Sequence, residues 1–255
     1  MSLARAYART MWTTLSALTT WQPDVPLGVG DVVLAGPGGV VTRETTLAKL
    51  GVPTERLTYS RHPAAPVREH RGVTLAASGS AVVATPGKAR LSFARQWSFL
   101  VVTDPGWQDL TDDMADARAV VEDLATRKVW RPGWHLVTSV RRYPACTIVI
   151  AKTAGAEAEV SLDVSAAGVV VEGIRAGVSV RVDSAQASHW VMNAESTPLY
   201  GAITAKRRGL RRWVSAGPQT VYGADEAPAD ADERPSGDED TWTVQRSSPD
   251  DLGLL

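Results

Sequence analysis

The sequence has 255 residues, with 27 basic and 28 acidic side chains, a formal net charge of −1 and a hydrophobic fraction of 44%. This length predicts one or two domains with an ordinary hydrophobic core. The single cysteine, Cys146, excludes an intrachain disulfide and leaves little basis for a four-ligand zinc site. There is no run of 18 apolar residues, so no membrane-spanning helix is expected. Arg5 and Arg9 interrupt the first 20 residues, which therefore do not resemble a signal peptide.

The near-neutral net charge conceals two oppositely charged parts. Residues 224–255 contain ten acidic and two basic residues, a net charge of −8, which leaves 18 acidic and 25 basic residues, a net charge of +7, in residues 1–223. Such asymmetry is typical of proteins that bind an anionic surface. Residues 224–240 contain no large apolar side chain and are predicted to be an acidic, disordered linker.

Apolar side chains return in the short C-terminal segment 241–255 and are candidates for docking on the body of the protein. They are Trp242, Val244, Leu252, Leu254 and Leu255. A polar linker followed by such a segment is the pattern expected of a tail that folds back. The alternative is a solvated tail that only aids solubility.

Apolar residues recur every three or four positions in 2–18 and predict an amphipathic helix, with Arg5 and Arg9 on another side. We expect it to pack on the core at rest and to meet lipid headgroups after a rearrangement. Residues 52–71 contain three prolines and are predicted to be an irregular surface connection.

Two long alternating segments, 73–83 and 91–101, flank Pro86-Gly87 and predict a long β-hairpin. Each arm is long enough to cross a bilayer as a tilted strand, but the pattern favours a half-buried soluble sheet. A helix is predicted over 107–129, with Thr111 as its N-cap.

After Pro132-Gly133 the alternating pattern returns. It predicts strands at 134–142, 145–152, 158–164, 169–174, 178–182, 189–193 and 199–204. The fold class is therefore α+β, a twisted and mainly antiparallel sheet with long hairpins, an N-terminal amphipathic helix and one longer central helix. The predicted domain spans 1–223.

The densest positive charge follows the last predicted strand. It consists of Lys206, Arg207, Arg208, Arg211 and Arg212. The cluster is either a solvated segment or a binding site for phospholipid or nucleic acid. Only Trp213 lies nearby as an aromatic side chain, so anionic lipid is favoured over nucleic acid.

No motif points to catalysis or to a cofactor. There is no GxSxG sequence, Cys146 lies in an apolar strand segment, and neither His135 nor His189 has an assignable partner. We therefore predict a protein that is not an enzyme. An active site scattered along the chain around either histidine is the less favoured alternative.

The order of these elements, together with LGVGDVVL at 27–34 and WHLVTSV at 134–140, resembles the gasdermin pore-forming domain, including its bacterial members. The resemblance spans roughly residues 1–213. Bacterial members usually carry a lipidated cysteine near the N-terminus, whereas Cys146 is the first cysteine of this sequence.

The resemblance implies a cytoplasmic protein that a C-terminal segment keeps inactive and that a protease activates. The freed domain would bind anionic lipid through Arg5, Arg9 and the basic cluster, self-assemble at the inner or plasma membrane and form a pore that kills the bacterial cell in defence. Asp240 suits a caspase-like protease and Arg246 a trypsin-like one. The alternative is a soluble, non-enzymatic binding or adaptor domain with an acidic interaction tail.

Overall fold

The computed structural model describes residues 3–20, 25–36, 41–76, 88–161, 174, 176–177, 179–183, 185–207 and 242–252. These residues form two α-helices, α1 (Leu3–Leu15) and α2 (Met114–Thr126). The strands up to α2 are β1 (Leu18–Thr19), β2 (Asp31–Ala35), β3 (Val41–Thr46), β4 (Tyr59–Ala64), β5 (Arg68–Arg71), β6 (Val73–Ala76), β7 (Lys88–Phe93), β8 (Phe99–Thr103) and β9 (Gly106–Thr111). Those after α2 are β10 (Trp134–Tyr143), β11 (Cys146–Ala151), β12 (Glu157–Ser161), β13 (Val180–Val182), β14 (Ala187–Met192), β15 (Ser196–Arg207) and β16 (Trp242–Arg246).

Three sheets organise the described residues, and every strand pairing in them is antiparallel. The largest has eight strands and contains the path β1-β15-β10-β2-β3, with β16 added to β15, β9 added to β10 and β4 added to β9. The other two have the orders β14-β11-β8-β5 and β13-β12-β7-β6. Together with two helices, this architecture confirms the α+β class.

The helices pack into different hydrophobic clusters. Helix α2 buries Val121 and Leu124 in a cluster that also contains Leu136 of β10. Helix α1 buries Tyr7 and Met11, which lie four residues apart, in another cluster. The two helices have the same length, 13 residues, so the central helix is not the longer one. No helix among the described residues is long and apolar enough to cross a membrane.

The predicted start of the central helix was wrong. Residues 106–111 form β9, which lies between β4 and β10, and Thr111 is a buried strand residue rather than a cap. Asp113 is the N-cap, because its side chain accepts a 2.6 Å hydrogen bond from the backbone N–H of Ala115. Pairing on both edges of β9 decided the conformation there against the local helical pattern.

The second arm of the predicted hairpin is not one continuous strand. Strand β7 ends at Phe93 and pairs with β6 and β12, whereas β8 begins at Phe99 in a different sheet. A turn over 94–98 separates them and places Trp97 in the left-handed region, with φ at 66°. Residues 77–87, in the middle of the predicted hairpin, lie outside the described residues. The predicted irregular connection is also wrong, because 52–71 contains β4 and β5.

Candidate functional site

The C-terminal segment lies against the body as an added strand. Strand β16 pairs with the second half of β15, with Arg246 opposite Ile203 and Trp242 opposite Arg207. Strand β1 pairs with an earlier part of the same edge of β15. Strands β1 and β16 share this edge, since β10 pairs with Tyr200 and Ile203 on the other one. We call residues 242–252 the tail segment. It closes an edge of the largest sheet that would otherwise present unpaired backbone groups.

Three of the five predicted docking side chains can be placed, and all three contact the body. Trp242 and Val244 are partly buried and pack against the cluster beneath α2. Leu252 is 4% exposed and belongs to a separate cluster that includes Leu18 and Tyr200. Full burial of a leucine side chain is worth roughly 1.5–3 kcal/mol, so Leu252 is a principal anchor of the tail segment.

A buried polar contact joins the tail segment to β10. The Ser247 hydroxyl lies 2.8 Å from Nδ1 of His135, and both residues are almost completely buried. The Ser247 backbone N–H donates to the Ala202 carbonyl at 2.8 Å, which extends the pairing one residue beyond β16. Burial lowers the pKa of His135 to about 4, so the ring is neutral near pH 7. A neutral ring can share one proton with the hydroxyl and leaves no buried charge.

An ion pair supplies the second polar contact. The Lys206 ammonium group binds the Asp251 carboxylate, and the Ser248 backbone N–H and hydroxyl donate to the same carboxylate at 2.8 and 3.0 Å. Burial raises the pKa of Asp251, but the hydrogen bonds from Lys206 and Ser248 outweigh burial and hold this pKa below its ordinary value. Lys206, predicted to bind lipid, therefore has its charge matched by the tail segment in this state.

The predicted cleavage residue Arg246 lies within the paired strand. Its guanidinium group donates to the Ser16 carbonyl just after α1 and lies 4.8 Å from the centroid of the Trp12 ring. Because Ser247 is fully buried and its N–H is bonded, the Arg246–Ser247 peptide bond is covered. Cleavage at this bond would require β16 to open first.

A cavity of about 410 Å³ next to the tail segment brings His135 and Asp251 into one lining. The arrangement does not form a catalytic relay in the described contacts, because Asp251 accepts from Lys206 and Ser248 while His135 bonds Ser247. Cys146 is buried, and burial raises the pKa of its thiol to about 12, which disfavours the reactive thiolate. No group of three or more potential metal ligands occurs among the described residues.

The other predicted site residues are placed only in part. Arg9 is exposed on α1, whereas only the backbone of Arg5 and of Arg207 is described. The remaining ones lie outside the described residues, namely Arg208, Arg211, Arg212, Asp240, Leu254 and Leu255. The structure thus places Arg9 and Lys206 in separate cavity linings.

Sequence reasoning did not find the partners His135, Ser247 and Asp251. His135 and Ser247 are 112 residues apart, and no spacing motif joins them. The only available signal was the return of apolar residues around Ser247 after the acidic stretch.

No protein-family model and no curated protein matches this sequence. Among solved structures, a bacterial gasdermin from Bradyrhizobium tropiciagri is similar, with 10% sequence identity and a TM-score of 0.32. The alignment covers 77% of this chain and 85% of that chain. Values this low do not by themselves establish a shared fold.

Proposed function

We propose that the protein forms membrane pores, is held inactive by its tail segment, and is activated when a protease removes that segment, causing bacterial cell death in defence. The observation that carries the proposal is the docking of the tail segment on the body. Strand β16 covers an edge of β15, and Asp251 binds Lys206. The gasdermin-like order of elements in the sequence supports the pore-forming part.

Removal of the tail segment would change two surfaces together. Its loss through a cut after Asp240 removes a net charge of only −1 and leaves residues 1–240 neutral. Its loss through a cut near residue 224 instead removes −8 and leaves a body of +7, which anionic lipid attracts by about 1 kcal/mol per basic residue near the surface. It also uncovers the edge of β15 from Ile203 to Arg207, and a free strand edge is a template for pairing with another chain. A cut near residue 224 would therefore release membrane binding and self-assembly together.

Cleavage is proposed between about residues 224 and 247. Within this range Arg246 is paired in β16, whereas Asp240 precedes the strand. A cut before Trp242 would leave every described contact of the tail segment in place. The partners of the proposed mechanism are thus an activating protease, anionic membrane lipids and further copies of the chain, with a move from cytoplasm to membrane and no role for nucleic acid.

The test is dye release from vesicles. A site for a sequence-specific protease is inserted between 224 and 240, the intact protein is purified, and it is cut in the presence of phosphatidylglycerol or phosphatidylcholine vesicles. We expect release from the anionic vesicles only after cutting. The unmodified chain treated with the same protease is the matched control. Absence of release from cut protein at every lipid composition would contradict the proposal.

A second variant addresses retention of the cut segment. D251N in the cleavable protein removes the carboxylate charge that binds Lys206. We therefore expect faster dye release after cutting than from the cleavable protein that retains Asp251. D250N, at the exposed neighbouring residue, should leave the rate unchanged. If the cut protein stays monomeric and does not bind vesicles, the binding or adaptor domain becomes the better description.

A further inference from the structure

Three exposed arginines, Arg9, Arg71 and Arg95, line a cavity that has no part in docking the tail segment. The cavity measures about 250 Å³ and adjoins α1, the end of β5 and the 94–98 turn. Its lining consists of Arg9, Thr10, Arg71, Arg95, Gln96, Trp97 and Ser98. The lining therefore contains three guanidinium groups, two hydroxyls and no carboxylate.

These arginines form no ion pair with any residue in the described parts of the chain. Two other arginines of the protein do form ion pairs: Arg61 and Arg142 both bind Asp109, at 2.7 and 3.0 Å. Like charges around one cavity repel each other unless an anion lies between them. Guanidinium groups match phosphoryl oxygens with paired hydrogen bonds, so the chemistry of this lining suits a phosphoryl group.

The turn that carries Arg95 is held in a strained conformation. A positive φ is unfavourable for a side chain as bulky as that of Trp97 and persists only where the surroundings fix it. The Trp97 N–H donates to the Ala151 carbonyl at 2.9 Å, and the Ala94 N–H donates to the Gly72 carbonyl at 2.8 Å.

Gly72 permits this close packing. Its φ is 64°, and a Cβ atom there would lie 2.4 Å from the Ser98 hydroxyl oxygen. Ser98 is buried, and its hydroxyl bonds the Arg95 backbone N–H at 3.3 Å. These contacts fix the 94–98 turn against the end of β5. The turn ends β7 at Phe93 and places Arg95 and Trp97 in the lining of the cavity.

We propose that this cavity binds a small anion that carries phosphoryl groups, with Arg9, Arg71 and Arg95 contacting the phosphoryl oxygens. The cavity is below the roughly 300–1,000 Å³ of sites for drug-sized ligands, so it suits a small anion with a few phosphoryl groups. An adjoining cavity of about 500 Å³ shares Arg9 and Arg71 and adds Glu69 and His70, so the remainder of a larger ligand would extend there. The ligand is either a free phosphorylated solute or the headgroup of a phospholipid.

The first experiment uses the intact, uncut chain and titration calorimetry at fixed salt concentration, with tripolyphosphate and inorganic phosphate as probes. We expect saturable binding of one tripolyphosphate per chain, weakened at least tenfold in R71Q/R95Q. The matched control R118Q/R181Q makes the same change in net charge at two exposed arginines elsewhere and should weaken binding less than twofold. Equal losses in both variants, or no saturable binding, would overturn the proposal.

The second experiment keeps the charge and changes only the donor geometry. R71K/R95K retains two cations but loses the paired donors of the guanidinium groups, so binding should still weaken by at least threefold. Full binding by R71K/R95K would overturn the assignment of paired contacts. Circular dichroism of each variant checks that the chain is folded.

A third experiment, with vesicles, distinguishes a phospholipid headgroup from a free phosphorylated solute. Phosphatidylglycerol vesicles are added to the intact chain and to R71Q/R95Q, with and without tripolyphosphate. Vesicle binding that R71Q/R95Q loses and that tripolyphosphate inhibits identifies a lipid headgroup, whereas tripolyphosphate binding that soluble glycerophosphoglycerol, the headgroup alone, does not displace identifies a free solute. None of these experiments requires cleavage, so their outcomes are independent of dye release by the cut protein.

Discussion

The protein uses its positive charge differently in two regions. On β15, Lys206 binds Asp251, a carboxylate supplied by the tail segment. At the cavity beside α1, Arg9, Arg71 and Arg95 have no carboxylate partner among the described residues. The first region holds the chain in its present state, whereas the second leaves its charge available to a ligand. Substitutions in the first region should therefore lower stability, and substitutions in the second should affect binding.

The largest effect is expected at the apolar anchor of the tail segment. L252A should lower the free energy of unfolding by about 3 kcal/mol, because Leu252 is 4% exposed and its removal leaves a cavity among Leu18, Tyr200 and their neighbours. Urea denaturation followed by tryptophan fluorescence measures the change. D250A, at an exposed position two residues away, serves as control and should change stability by less than about 0.5 kcal/mol. A similar loss in both variants would show that Leu252 is not an anchor.

Acidification should weaken the same region through His135. Its folded-state pKa, about 4, lies below the ordinary value of 6.5, so the unfolded chain binds more protons between these values and stability falls as the pH decreases from 6.5 toward 4. Between pH 7 and 4.5 we expect a loss of about 2 kcal/mol.

The comparison is the unfolding free energy of the wild-type chain and of H135Q across this pH range. Glutamine can still bond Ser247 but does not titrate, so the variant should lack this part of the pH dependence. Asp251, whose pKa is lowered, contributes stability above its ordinary pKa and loses it only at lower pH. Identical pH profiles for the two proteins would contradict the buried state of His135.

A smaller effect is expected from the ion pair. D251N should destabilise the chain by about 1.5 kcal/mol, because the amide cannot accept the hydrogen bonds of Lys206 and Ser248 as a carboxylate does. A double-mutant cycle with K206Q isolates the pair, since the Lys206 side chain is half exposed and its own removal costs less. Additive effects of D251N and K206Q would show that the two groups do not interact.

The smallest effect on stability is expected in the second region. R71Q/R95Q should change the free energy of unfolding by no more than about 0.5 kcal/mol, because neither arginine loses an ion pair within the described residues. Thermal melts in low phosphate measure it. A destabilisation as large as that of D251N would mean that these arginines hold the fold, and the contrast between the two regions would fail.

The fold class could be predicted from local patterns, because alternating apolar residues identify strands such as β10 and β11 directly. Element boundaries could not be predicted where pairing overrode the local pattern. Residues 107–111 lie just before α2 and were predicted to be part of it, yet they pair with both β4 and β10. Strand β4 was missed because it has little strand pattern of its own. Its residues are mostly exposed, and one of them is Pro63.

The candidate site, too, could be predicted from the sequence only in part. Composition alone singled out Trp242, Val244 and Leu252, because apolar residues are conspicuous after an acidic stretch. The Ser247–His135 contact joins distant parts of the chain, and a serine in a polar segment has no distinguishing pattern. The cavity of three arginines was hidden too, because its members come from α1, β5 and the 94–98 turn, and this turn interrupts a sequence that alternates like a continuous strand.

Strand β15 ends at Arg207 and strand β16 begins at Trp242, and 34 residues, 208–241, connect them. A covalent connection can hold the two segments that it joins at an effective concentration on the order of millimolar. Cutting one peptide bond in it breaks none of the described contacts, yet it converts an intramolecular equilibrium into a bimolecular one that depends on dilution. If the protein is activated by such a cut, as proposed, a modest affinity between tail segment and body would be enough to keep it closed before the cut and to let it open afterwards.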